Sequence, residues 1–302
     1  MKSFVISFFL LLVALNVGAQ DAFFQVITCK GTVVYEGVGG NEKDVVPGAK
    51  IPVEGNLKLA ENSMVKIICK DRPQKLQTPG TYDLSELYYS SDKKSMSFTG
   101  KFWNYLMKGL QSSDSKAEIK KYGYQSAAGG IKGFSSIANS EVKINSPVVG
   151  KVSRLPIKFD WEGEACQFMM FDEKNETVMD KVIEGSEYEL SKVHIEMEPG
   201  LYYWQVKCGD KTSPIIPFEY QPLEVSKIES KLSRITDYVE GEDLEKSWIR
   251  AVVYEMEDYT YEAGNMYRSL LEQHPDDLLI KKLYIMYLAK NGNVDKAEKL
   301  ID

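Results

Sequence analysis

Residues Gly200 to Asp210 read GLYYWQVKCGD, directly after Glu198 and Pro199. In an extended chain, side chains alternate between two faces. Tyr202, Trp204, Val206 and Cys208 then share one face, and Leu201, Tyr203, Gln205 and Lys207 share the other. Glu198-Pro199-Gly200 turns the chain into this run, and Gly209-Asp210 turns it out toward SPIIPFEY as in a hairpin. Upstream, Ile157, Phe159 and Trp161 alternate in LPIKFDWEGE, and Cys166, Phe168 and Met170 alternate in the next run. The pattern predicts half-buried strands, with GLYYWQVKC as a core strand of a sandwich over residues 141–222. Tyr203 is the aromatic on the opposite face, and so the one to test for ligand contact.

The pattern Leu155-Pro156-Ile157-x-Phe159-x-Trp161, answered by Pro199-Gly200-x-Tyr202-Tyr203-Trp204-x-Val206, resembles fibronectin type III-like or immunoglobulin-like sandwiches of exported bacterial proteins. The resemblance implies tryptophans packed between two sheets. Residues 20–92 also read as β structure. Short β-branched runs alternate with the turn pairs Gly39-Gly40, Pro47-Gly48, Glu54-Gly55 and Pro79-Gly80. Period two places Ile27, Cys29 and Val33 on one face, and Val65, Ile67 and Cys69 on another. Gly31-Thr32-Val33, Pro47 to Ile51, Leu57 to Leu59, Met64 to Cys69 and Thr78 to Tyr82 follow in an order that resembles the β domain of ferric-citrate-regulator (FecR-like) proteins. That resemblance implies the fold alone. Regulators of that family carry a cytoplasmic segment that contacts a sigma factor, whereas here only Met1 to Ser3 precede the apolar run.

Residues 1–19 have the grammar of a secretory signal peptide: Lys2, an apolar run from Phe4 to Val17, then Gly18-Ala19. The run is short of the ~20 residues that cross a bilayer as a helix, and no cysteine stands at the cleavage point to take a lipid. The expected product is a periplasmic or secreted chain with no membrane span. Between the β regions, residues 93–140 read as an amphipathic helix and a linker. Phe102, Tyr105, Leu106 and Leu110 fall at helical spacing within Ser97 to Leu110, a helix expected to pack on the first β domain. The Gly129 to Gly133 run lacks the Gly-Lys-Ser/Thr ending of a phosphate loop and reads as a connector.

From residue 223 to 302 the β signals vanish. A helix is expected from Leu223 to Tyr238, followed by a repeat. Ala251, Tyr254, Ala263, Tyr267, Leu270 and Pro275 have the relative spacing of a tetratricopeptide (TPR) unit, and Ile285, Leu288 and Ala297 answer Ala251, Tyr254 and Ala263 after 34 residues. Trp248 sits one place from the family's usual aromatic, and Lys282 takes the matching place in the second copy. The resemblance implies a curved helical layer whose first helices face a partner. Trp248, Val252, Leu279 and Met286 then line the groove, unless the preceding helix or the sandwich covers them. The fold class expected is two all-β sandwich-like domains followed by a short all-α TPR-like repeat.

The chemistry-bearing residues are sparse. There are two histidines, His194 and His274, and both are expected to be structural. No Gly-x-Ser-x-Gly, Cys-x-x-Cys or calcium-loop spacing occurs, so no catalytic, metal or cofactor residues are assigned. Glu162, Glu164, Asp172, Glu173 and Glu176 read as solvated acidic turns. A net charge of −7 with interspersed signs disfavours a nucleic-acid partner. Cys29, Cys69, Cys166 and Cys208 all face inward by strand parity. They read either as one disulfide per β domain, Cys29–Cys69 and Cys166–Cys208, or as four buried thiols. These observations point to a non-enzymatic envelope scaffold that binds a protein partner or self-associates. The rival is a carbohydrate- or cell-wall-binding module using Tyr88, Tyr89 or Tyr122.

Overall fold

The structure, a computed structural model, describes residues 23–69, 72–89, 98–112, 115–121 and 141–301. The expected leader, the Gly129 to Gly133 connector, Tyr122 and the side chain of Tyr89 lie outside the described residues. The chain divides into two compact units, Met1–Lys94 and Ser95–Asp302.

The first unit holds β1 (Phe23–Lys30), β2 (Val33–Glu36), β3 (Glu42–Asp44), β4 (Lys50–Pro52), β5 (Asn56–Leu59), β6 (Met64–Cys69), β7 (Arg72–Leu76), β8 (Gly80–Asp83) and the short helix α1 (Leu84–Tyr89). The strands form two four-stranded sheets, ordered β4-β1-β6-β7 and β3-β2-β5-β8. Phe24, Val26, Val33, Leu57, Val65 and Ile67 belong to one apolar cluster. Simple alternation fails in β1, because the register against β6 shifts between Val26 and Thr28. A bulge of this kind adds one residue and reverses which face follows. The core positions are therefore Phe24, Val26 and then Cys29, while Ile27 is buried outside that cluster.

The same register corrects one expected disulfide. Cys29 pairs across with Val65, so Cys69 lies four residues further along β6. At about 3.4 Å per residue the two cysteines are about 14 Å apart, at least twice the Cα separation a disulfide spans. Neither is disulfide-bonded, and Cys29 Sγ donates to the Val45 carbonyl at 3.1 Å.

The second unit begins with helix α2 (Phe98–Ser112) and continues through β9 (Ile144–Ser146), β10 (Lys151–Val152), β11 (Ile157–Trp161), β12 (Cys166–Asp172), β13 (Thr177–Ile183), β14 (Glu187–Leu190), β15 (Gly200–Cys208), β16 (Lys211–Thr212) and β17 (Ile216–Tyr220). Its sheets run β10-β17-β15-β12-β13, with β16 on β15, and β14-β11-β9. The opening stretch is β15, paired on one side with β12 and on the other with β17. Trp204 and Val206 are fully buried, and Tyr202 is 9% exposed. The Phe159 ring lies 4.9 Å from Phe168, 5.0 Å from Trp204 and 5.9 Å from Phe218. Such edge-to-face pairs contribute about 0.5–1.5 kcal/mol each beyond their buried area. Trp204 Nε1 donates to the Pro147 carbonyl at 3.2 Å, which satisfies the polar atom of a buried indole. Tyr203 is half-buried on the other face, opposite Phe171 and Pro217.

After α2 come α3 (Val225–Leu232), α4 (Thr236–Glu240), α5 (Asp243–Met256), α6 (Thr260–Gln273), α7 (Leu278–Lys290) and α8 (Val294–Lys299). The helix expected over Leu223 to Tyr238 is two helices, broken where the Arg234 and Ile235 amides close tight turns onto the Lys231 and Leu232 carbonyls. The break brings Tyr238 beneath Arg250, whose guanidinium lies 5.5 Å over the ring. Asp277 caps α7 by accepting from the amides of Leu279 and Ile280. No helix among the described residues is long and apolar enough to cross a membrane.

Sandwich and helices are joined within this unit at the start of α6. Lys151 N donates to the Asp258 carbonyl at 2.6 Å, and Thr260 Oγ1 donates to the Val149 carbonyl at 3.1 Å. Glu262 Oε1 accepts from both the amide and the hydroxyl of Ser153, each at 2.6 Å. Gly150 has φ +137°, and a Cβ there would stand 2.1 Å from Thr260 Oγ1, so only glycine admits this approach.

Cys166 and Cys208 sit directly opposite each other on β12 and β15 and are disulfide-bonded. We predict two titratable thiols per unfolded chain, from Cys29 and Cys69, and four after reduction of the Cys166–Cys208 bond. Replacing both bonded cysteines by serine should lower the stability of the second unit by about 2–4 kcal/mol in denaturant titration. Cys29→Ser should leave that unit's midpoint unchanged.

Candidate functional site

The groove expected from the repeat spacing exists as a surface of α5 and α7, and it is filled. Trp248 is 4% exposed, Val252 0%, Leu279 3% and Met286 1%. Of the two alternatives, an open groove or a covered face, these four residues are covered. The occupant is α2, which packs against α5 and α7. Phe102, Trp103, Leu106 and Leu110 of α2 are fully buried, and Met107 is 8% exposed. These positions form one broad stripe of a helix, wide enough to seat between two others.

Two contacts set the register of α2. The Phe102 ring stacks on Trp248 at 6.4 Å with 21° between planes, and packs edge-on against Trp103 at 4.9 Å. One turn from its C-terminal end, Gly109 lies so close to α7 that a Cβ would stand 1.4 Å from Met286 Sδ. Glycine inside a helix costs roughly 1 kcal/mol relative to alanine. Here the missing side chain lets the two helices meet.

A polar latch runs beside the apolar contacts. Glu255 belongs to the inward stripe of α5, and its side chain is fully buried. Its Oε1 accepts a short hydrogen bond from Tyr105 Oη of α2, and its Oε2 accepts from Tyr267 Oη at 2.9 Å. Lys290 Nζ lies 3.3 Å from Glu255 Oε1 and donates to Tyr105 Oη at 2.8 Å, with its charge 4.9 Å over the tyrosine ring. A buried carboxylate is costly unless its lone pairs are met, and here two hydroxyls and an ammonium meet them. The latch reads a hydroxyl at position 105. At the other end of α2, Thr99 Oγ1 donates to the Arg234 carbonyl at 2.9 Å, and Lys231 sits 5.7 Å over Phe98.

Repeat position marked the four apolar groove residues. Tyr105 was visible only as an apolar-stripe residue, and Gly109, Glu255 and Lys290 were not marked at all. Their signals were a glycine inside an amphipathic helix and a glutamate at the inward spacing of Trp248, Val252 and Glu255. The other residues considered for chemistry have ordinary surroundings. His274 caps α6, and His194 Nδ1 lies 3.2 Å from both the amide and the hydroxyl of Ser191. Asp172 accepts from the amides of Lys174 and Glu176 and so closes its own turn. No group of three or more His, Cys, Asp or Glu able to hold a metal occurs among the described residues. Tyr88 of the carbohydrate-binding rival lays its ring edge-on to Phe24 at 6.4 Å and packs on the first core.

Neither a protein-family model nor a curated protein matches the chain.

The Gly109–Met286 contact yields a sign test. Gly109→Ala should destabilise the second unit by about 1–2 kcal/mol, because overpacking outweighs the gain in helix propensity. In a Met286→Ala background the same change should be neutral or stabilising, because the clash is gone and the propensity gain remains. Urea midpoints of the four chains in this double-mutant cycle measure it.

Proposed function

We propose that the chain is a non-enzymatic exported scaffold of the bacterial cell envelope, whose C-terminal TPR-like helices take an amphipathic helix of a protein partner. The carrying observation is the seating of α2: the surface that the repeat pattern assigns to a partner already holds a helix by its apolar face. A partner's helix of like pattern competes with α2 for that surface. The helix starts add support, since α7 begins 35 residues after α5 (278 − 243) and α6 and α8 begin 34 apart (294 − 260). Small residues between helices fit the same reading. Ala251 and Ala263 are fully buried, and a Cβ on Gly264 would stand 2.3 Å from Tyr287 Oη.

Export is supported by the leader grammar of residues 1–19 and by the Cys166–Cys208 disulfide, which suits an oxidising compartment. The FecR-like and fibronectin type III-like or immunoglobulin-like assignments stay with the sequence patterns that suggested them, and the paired sheets in each unit are consistent with both.

The test uses the chain with its own helix unseated. Gly109→Leu drives a side chain into Met286 and should displace α2. A fluorescent peptide FTGKFWNYLMKGLQS should then bind this variant at least about tenfold tighter than it binds the wild type, by anisotropy. Adding Trp248→Ala should abolish the gain. Equal binding to both chains, with each still folded by circular dichroism, overturns the reading of the groove as a helix receptor.

A further inference from the structure

A second concave site lies where the loop after β10 meets α5 and α6. It is a cleft of about 860 Å³, within the size range of small-ligand sites. Its walls are Ser153 to Pro156, Leu223 and Val225, and the faces of α5 and α6 that carry Arg250, Tyr254, Glu262 and Met266. None of the groove residues that hold α2 lines it.

Three features of this cleft point to one ligand chemistry. Its charge is opposite in sign to that of the chain. The protein carries −7 overall, yet the cleft presents Arg154 and Arg250 against a single carboxylate, Glu262. Burial raises the Glu262 carboxyl above its ordinary range, against the pull of its two Ser153 hydrogen bonds and of Arg154, which biases it toward the neutral acid. Arg250 is held in place by the Tyr238 ring and hydroxyl, with Glu229 3.8 Å away. Arg154, in contrast, is exposed and makes no ion pair or hydrogen bond among the described residues. A free guanidinium at the mouth of a cleft is a fork for a carboxylate.

The second feature is an unmet polar atom. Glu262 is 9% exposed, its Oε1 is taken by Ser153, and its Oε2 is buried with no hydrogen-bond partner. Buried polar atoms left unpaired cost about 1–3 kcal/mol, so a ligand amide that hydrogen-bonds this oxygen offsets that cost. The third feature is the apolar lining: Val225 is 60% exposed, and Leu155, Leu223 and Met266 are half-buried around the same space.

We infer that this cleft binds the C-terminal end of a short peptide, with the terminal carboxylate on Arg154, a backbone amide group on Glu262 and an apolar last side chain against Leu155, Leu223 and Met266. A plain fatty acid offers the carboxylate and the apolar chain but nothing for Glu262 Oε2. The peptide matches all three features.

The test uses the full chain and three fluorescein-labelled tripeptides with free carboxylates: Ala-Ala-Leu, Ala-Ala-Val and Ala-Ala-Phe. At least one should bind saturably in the micromolar to sub-millimolar range by anisotropy. Its C-terminal amide should bind about tenfold or more weakly, as should Arg154→Gln with the free acid, at an unchanged melting temperature. Glu262→Gln should also weaken binding where the variant still melts cooperatively. Three results overturn the inference: no saturable binding of any tripeptide up to about 1 mM, equal affinity for acid and amide, or wild-type affinity in Arg154→Gln. Decanoate competing as well as the free tripeptide overturns the peptide assignment and leaves a carboxylate–alkyl site.

Discussion

The second unit depends on covering the apolar inner faces of α5 and α7. Four helices in two antiparallel pairs are too few to bury such faces among themselves, since stacked repeats gain stability from each added neighbour. Trp248, Val252, Leu283 and Met286 would otherwise present a large patch to water. The chain meets this constraint from outside these four helices. Helix α2 covers α5 and α7, and the sandwich clamps the start of α6 through Val149 and Ser153 in the loops flanking β10 and through Lys158 of β11. A helical layer held this way is part of one body with the sandwich and not a free-standing appendage.

Polar burial then selects among the ways in which apolar faces could slide. The apolar stripe of α2 alone would tolerate a shift along the groove. Tyr105 reaching Glu255 and Lys290, Gly109 over Met286 and Phe102 on Trp248 fix one position. Glu262 does the same for the sandwich, because a buried carboxylate that accepts twice from Ser153 leaves little freedom in rotation. Each device costs desolvation and returns a unique arrangement, in the way a polar residue at a core position fixes register in packed helices.

Local periodicity made most strands readable, because a strand's face is decided by the next few residues. The GLYYWQVKC run was decidable from its alternation and its two turns alone. The failures have non-local causes. A single bulge at Ile27 shifts the faces within β1, and the Cys29–Cys69 bond fails on register, because Cys29 pairs with Val65, four residues from Cys69. The Cys166–Cys208 bond depends on β12 and β15 lying in direct register, a relation between segments 42 residues apart that no strand parity specifies. The groove residues were legible as inward-facing. Their occupant was not, since Tyr105 and Glu255 are 150 positions apart and Tyr105 and Lys290 are 185 apart.

That separation bears on where function can reside. A surface that faces inward by repeat logic is satisfied here by the chain itself, so a partner that uses it must match both the apolar stripe and the hydroxyl that Glu255 holds. Affinity for such a partner is reduced by the stability of the α2 seat, because only the fraction of molecules with α2 displaced can bind. On the proposed reading, the arrangement favours partners that are abundant or held nearby, and it keeps a large apolar face from non-specific contact. The opposite side of α5 carries Arg250 and Tyr254 into the cleft beside Glu262. The helix that anchors α2 thus also forms a wall of that cleft.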